Sequence, residues 1–394
     1  MNAEIKTIEE KNGVIAAIFL FQYSLLIPLM RYIRPSILVA ASGLLLMLCS
    51  FVINRRLIIR KRVTLVVALI AAAIAIKSVI DGSEIQVAIN FLMIAVPPSI
   101  VFSYSFESSS FLRSCQKLSI INFLLLNLLL LIWKKIPYMR YGYGMVLTVL
   151  FSYIALFRKD DAQRTASAFR SKRLSKLLSI LVFIASLLEA IIYGSRGVIL
   201  VIIVFVAIDV LLIYKKNRIR NYFLVGLGFA AFFNLENILE LLIQLAGAFG
   251  IRSYALRKFQ YQLTVGIEEA SSGRNHLYEK AIESIKENPL FGSKMITYSD
   301  GTLYVHNLFL QIGRDLGVLA MLFSIILVVY CIYLLWSKKL PISHKTVIAI
   351  LFCVSVVRLM ISSIIWERPE FWALLCVTLD HNRILKARDN VFTG

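Results

Sequence analysis

Long apolar runs recur from one end of the chain to the other, and they limit what this sequence can become more than any other feature. About 20 residues of helix cross the hydrocarbon core of a bilayer, where backbone amides find no water and must be satisfied within the segment. Twelve such segments can be drawn, at 14–30, 37–53, 63–80, 85–104, 118–133, 141–157, 177–193, 197–214, 221–236, 305–336, 346–365 and 370–382. The twelfth is short. The tenth is long enough to begin as a helix above the membrane or to run tilted. The first is followed by Arg31 and Arg34 and not by a small-residue cleavage site, so it is expected to stay as a span. The expected fold class is an all-α polytopic membrane protein with about 12 transmembrane helices. Residues 1–236 carry helices one to nine, 237–304 form a long outer loop with amphipathic helices, and 305–394 hold helices ten to twelve and an inner tail. Composition agrees, with 59% hydrophobic and 17% charged residues, against roughly 45–50% and about 25% in a soluble domain.

The net charge of +20 would point to nucleic acid in a soluble protein. Here Lys and Arg gather in the short connections, as at 54–62, 158–176 and 215–220, where retention on the cytoplasmic side accounts for them. No nucleic-acid partner is expected; the bilayer is. Asp81-Gly82-Ser83-Glu84 is acidic and is expected outside. With both termini inside, the connections hold about 26 basic residues inside and about 7 outside. The opposite orientation would invert that ratio. The five cysteines lie in or beside apolar runs with no C-x-x-C pair, which reads as apolar packing and not as disulfide or zinc chemistry.

Parity places 237–304 outside, and its length marks it for function. A helix is expected at 276–288, with Leu277, Ala281, Ile282 and Ile285 on one face, ended by Asn288-Pro289 and Phe291-Gly292. A second, near 237–249, is expected on the membrane surface. The chain does not divide into matching halves, which counts against a transporter of inverted repeats.

Several residues on the expected outer face could carry chemistry. Arg196, in the turn Gly194-Ser195-Arg196-Gly197, is either an interfacial snorkelling side chain or a clamp for phosphate oxygens. Arg274 opens the loop helix against the macrodipole, a placement that favours an anion-binding role. Arg252, Arg257 and Lys258 could join the same basic patch. His306 opens the tenth segment, whereas His276, His344 and His381 read as structural. Glu189 could orient Arg196 or pair with it, and Asp209 could face the interface near the inner end of its span. Arg314 and Asp315 are adjacent; Arg358 lies deep in the eleventh segment and needs a partner. Trp366 and Trp372 read as interfacial anchors around Arg368. No phosphate-binding glycine loop, H-E-x-x-H or acidic triplet occurs, so neither nucleotide-driven transport nor a metal site is indicated.

In order and spacing these pieces resemble the O-antigen ligase/polymerase family of bacterial envelope enzymes. The resemblance runs from about Gly194 to Phe323: Ser195-Arg196-Gly197, Gly273-Arg274, Asn288-Pro289-Leu290-Phe291-Gly292, then His306-Asn307, nine residues and Gly317. It implies a membrane-embedded (GT-C-like), inverting, metal-independent glycosyltransferase without cofactor, on the periplasmic face of the inner membrane. The donor would be a glycan on undecaprenyl diphosphate, and a chain-length regulator in the membrane is an expected partner. Arg196 and Arg274 would hold the diphosphate, and His306 would act as base or position the acceptor. Asn307 would orient a sugar or His306, with Glu189, Arg252, Arg257, Arg314 and Arg368 in support. Ala320 stands where the ligase pattern has Gly, Thr or Tyr, and the stretch from Arg274 to His306 is compact. Both features favour a repeat-unit polymerase over a ligase acting on lipid A-core. A lipid-linked oligosaccharide flippase and a non-catalytic assembly partner are the readings from other classes.

Overall fold

The computed structural model describes residues 2–58, 60–80, 82, 85–132, 138–158, 172–213, 218–248, 250–265, 274–295 and 305–379. His381, most of 81–84, most of the basic stretch 158–176 and part of the outer loop lie outside them. The described residues form helices and connections, with no strand. They comprise α1 (Asn2–Leu25), α2 (Pro35–Asn54), α3 (Lys61–Ile80), α4 (Ile85–Val101), α5 (Ser108–Ile132), α6 (Tyr138–Phe157), α7 (Lys172–Tyr193) and α8 (Arg196–Ile208). There follow α9 (Arg218–Phe233), α10 (Leu235–Ala248), α11 (Tyr254–Val265), α12 (Arg274–Glu287), α13 (Leu308–Leu316), α14 (Val318–Trp336), α15 (Ile342–Phe352) and α16 (Pro369–Leu379).

Among the described residues, seven helices are long and apolar enough to cross a membrane, or eight if the bent pair Ile219–Ala230 and Leu235–Ala248, turned by 80°, is one span. Four shorter apolar helices, Ile85–Val101, Leu177–Tyr193, Ile342–Val357 and Pro369–Leu379, coincide with the remaining expected segments. The architecture fits a polytopic membrane protein. The tenth segment is not one helix. Gly317, at φ 90°, divides it into α13 and the full-length α14.

The chain forms two compact units, one of 1–22, 32–111 and 273–394, the other of 23–31 and 112–272. In the first unit α15 and α16 are the core, with every residue from His344 to Leu359 and from Pro369 to Thr378 buried. Trp366 and Trp372 are buried as well, edge-on to Phe91 at 5.8 and 5.1 Å. The interfacial role expected of them is therefore replaced by aromatic core packing. Cys115, Cys331, Cys353 and Cys376 are buried as expected, but Cys49 is exposed.

The second unit is built on α6 and α7, which approach closely at Gly142 and Gly194. A Cβ on Gly142 would meet the Gly194 backbone, as small-residue helix contacts in membranes require. Asp209 does not face an interface. It is fully buried, paired with Arg158 and, at 3.5 Å, with Arg220, and it accepts from the Tyr153 hydroxyl at 2.9 Å. A carboxylate inside a helix bundle persists only with such partners.

Candidate functional site

In the first unit, the turn that ends α12 locks onto the turn that ends α13. The amide of Val318 donates to the Pro289 carbonyl at 2.7 Å, and that of Ser293 to the Arg314 carbonyl at 2.6 Å. Gly292 lies at φ 67°, and a Cβ there would sit 2.5 Å from the Arg314 carbonyl oxygen and 2.7 Å from the Leu316 nitrogen. A Cβ on Gly317 would run into the Leu290 carbonyl. Both positions need glycine for backbone conformation and for closeness of approach. Lys77, buried in the last turn of α3, donates from Nζ to the carbonyls of Phe291 and Gly292 at 2.9 and 3.2 Å.

His306 and Asn307 sit at the start of α13. Asn307 caps the helix, its Oδ1 accepting from the amides of Phe309 and Leu310 at 3.0 and 3.1 Å. That oxygen is committed to the helix. His306 is half-buried, with φ 53°. The left-handed region is costly for a residue with a side chain, by about 1–3 kcal/mol, and such residues concentrate at working sites.

Further along α13, Arg314 donates from Nε and Nη2 to Asp315 Oδ1 at 2.9 and 2.5 Å, and Trp366 Nε1 donates to Asp315 Oδ2 at 3.0 Å. Both partners of this ion pair are buried, so Arg314 serves the internal architecture of α13. The helix α12, which Arg274 opens, lies against α13, with Ile285 packed on Gly313. Ala281 is buried and Ile285 half-buried, as the periodicity predicts; Ile282 is exposed. Arg274 and Arg368 are half-buried and His276 is exposed. His344 is buried, its Nδ1 3.4 Å from Ser108 Oγ.

In the second unit, Ser195 is the residue before α8 and Arg196 its first residue. Arg196 donates from Nη1 to Gln262 Oε1 at 3.0 Å, which ties this turn to α11. Ser253 pins the other end of α11: its hydroxyl donates to the Ile192 carbonyl at 2.5 Å and accepts from the Leu256 amide at 3.2 Å. Glu189 does not pair with Arg196. Its carboxylate accepts from the Tyr141 hydroxyl at 2.7 Å and from Asn127 at 3.3 Å. The Gly194-Ser195 turn separates the helix of Glu189 from that of Arg196, whereas Tyr141 reaches Glu189 from α6. Arg252 and Arg257 are exposed, and Lys258 lies over the Tyr254 ring at 5.9 Å.

Arg274, His306, Asn307, Arg314 and Arg368 belong to the first unit, and Glu189, Arg196, Arg252 and Arg257 to the second. Sequence reasoning missed α11, Ser253, Gln262 and Lys77. The signal for α11 was present: Ser253 is an N-cap residue type, and Leu256 and Phe259 follow at helical spacing. Lys77 carried no such signal, because its partners are 214 and 215 residues away. No protein-family model and no curated protein matches the chain.

Proposed function

We propose that this protein is a repeat-unit (O-antigen) polymerase: a twelve-span, GT-C-like inverting glycosyltransferase of the bacterial inner membrane, with both termini in the cytoplasm. It joins oligosaccharides carried on undecaprenyl diphosphate at the periplasmic face. The observation that carries the reading is the interlock of 288–292 with 314–318. Two segments of the resemblance that are separate in sequence share backbone hydrogen bonds, on the helix at whose start His306 adopts a left-handed conformation.

The chemistry suits the residues. A hydroxyl oxygen of the acceptor sugar attacks the anomeric carbon of the donor, and the bond from that carbon to the phosphate oxygen breaks with its electron pair. Charge grows on the departing lipid diphosphate and is stabilised by guanidinium groups, a role that the resemblance gives to Arg196 and to Arg274. The hydroxyl proton passes to the imidazole of His306, a side-chain type suited to general-base work. Attack from the face opposite the leaving group inverts the anomeric configuration.

The test is reconstitution. Purified protein in lipid vesicles, given undecaprenyl-diphosphate-linked repeat units, should produce a ladder of longer lipid-linked chains. A strain lacking the gene should retain lipopolysaccharide bearing a single unit. A bare core in that strain would assign ligation instead, and lost transport of the lipid-linked unit would assign a flippase.

A further inference from the structure

The first unit contains a cleft of about 700 Å³ between α2, α4 and the segment 364–367. Its chemistry is graded along its length. At one end stand Arg34, Gln86, Asn90 and Glu367; toward the other the walls are Ala40, Ala41, Leu44, Met93 and Ile94. The helices α2 and α4 pack together farther in, with Gly43 against Pro97, so the starts of both helices share the polar end. Ser36 to Leu44 and Gln86 to Ile94 each advance about 12 Å at 1.5 Å per residue. The cleft therefore offers a polar mouth and an apolar trough roughly half a leaflet deep, within the about 300–1,000 Å³ typical of small-molecule sites.

The helix α2 is lipid-accessible, with 28% of its most apolar stretch buried within the protein, and Ile37 in the cleft wall is 57% exposed. What reaches such a trough is an amphiphile from the bilayer. The mouth fits more than a bare anion: Arg34 suits a phosphate, while Glu367 and the amides Gln86 and Asn90, which bond each other at 2.9 Å, suit hydroxyl groups. Among the described residues, neither the Arg34 guanidinium nor the Glu367 carboxylate meets a protein partner. The wall is also coupled to the candidate site, because Trp366 lines the cleft and donates to Asp315 on α13.

We infer that this cleft seats the acceptor: a lipid-linked glycan whose phosphate meets Arg34, whose first sugar meets Gln86, Asn90 and Glu367, and whose isoprenoid chain lies along Ala40, Ala41 and Leu44. The identity of the head group rests on the polymerase reading, which requires two lipid-linked substrates at once. The site would make acceptor binding separable from donor binding.

The experiment uses the full chain in phosphatidylcholine nanodiscs titrated with undecaprenyl-diphosphate-linked repeat unit, counted by native mass spectrometry. Wild-type protein should hold two copies. Ala41→Phe, which fills the trough at an exposed position, and Arg34→Ala, at the mouth, should each hold one. A hundredfold excess of phosphatidylglycerol should not displace the second copy. In turnover, Ala41→Phe should raise the acceptor KM about tenfold. Two copies retained in both variants, or displacement by phosphatidylglycerol, would overturn the assignment. Chain extension with an unchanged acceptor KM in Ala41→Phe sinks the cleft and leaves the polymerase standing. A second copy lost in both variants, with no extension by wild type, does the reverse.

Discussion

The indole of Trp366 donates to the Asp315 carboxylate at 3.0 Å, and this one bond joins the segment before α16 to the helix that His306 and Asn307 begin. Asp315 is 1% exposed and also receives Arg314, so a single carboxylate organises two other side chains. Asp315→Asn leaves a buried guanidinium without its counter-charge and should cost about 3–5 kcal/mol. Trp366→Phe removes one donor and should cost about 1–3 kcal/mol. Thermal unfolding in detergent should rank them in that order, and a Trp366→Phe protein less stable than Asp315→Asn would refute the arrangement.

The interlock of the two turns makes a sharper claim about glycine. Gly292→Ala and Gly317→Ala meet a left-handed backbone and a carbonyl oxygen at once, so each should reduce folded protein. Gly226→Ala in α9 is the control: its added Cβ meets nothing within 4 Å, and in a helix it should stabilise by about 0.5–1 kcal/mol. Lys77→Met should loosen the same turn, since it removes a charged donor to two carbonyls, at about 1.5–3 kcal/mol. Faster protease cleavage near Phe291 in Lys77→Met than in wild type is the expected readout.

How far these features could be read from sequence depends on how local their causes are. Apolar length and the glycine and proline breaks are local, so every expected span overlaps an apolar helix and the end of α12 falls as expected. The break inside 305–336 is also local in cause, but Gly317 within an apolar run looks like any tolerated glycine until the Leu290 carbonyl is seen beside it. Partner choice is not local. Glu189 is close to Arg196 in sequence, at the end of the preceding span, and that nearness suggested the pair; Tyr141 and Asn127 arrive from other helices. The two tryptophans follow the interfacial pattern in composition and are core residues because Phe91 lies between them.

Asp209 serves two arginines, and this predicts an asymmetry. Asp209→Asn removes the carboxylate charge that faces both Arg158, which is fully buried, and Arg220. Arg158→Met leaves the carboxylate with Arg220 at 3.5 Å and with the Tyr153 hydroxyl. Asp209→Asn should therefore lower the unfolding temperature more than Arg158→Met, by a margin of about 1–3 kcal/mol. Equal losses would mean that Arg220 contributes nothing to the cluster.

His306 offers a way to separate backbone from chemistry. Its left-handed conformation is one that Asn adopts with little penalty and that β-branched residues resist. His306→Asn should thus fold like wild type, whereas His306→Val should lose stability as well as function. If the imidazole takes the acceptor proton, His306→Asn should slow chain extension by about 10²–10⁴-fold, the usual contribution of a positioned base. Arg196→Lys should slow extension too, because a lysine keeps the charge but not the forked geometry that grips a diphosphate. An Asn variant that polymerises at the wild-type rate would reduce His306 to a structural residue, held left-handed by the turn that Asn307 caps.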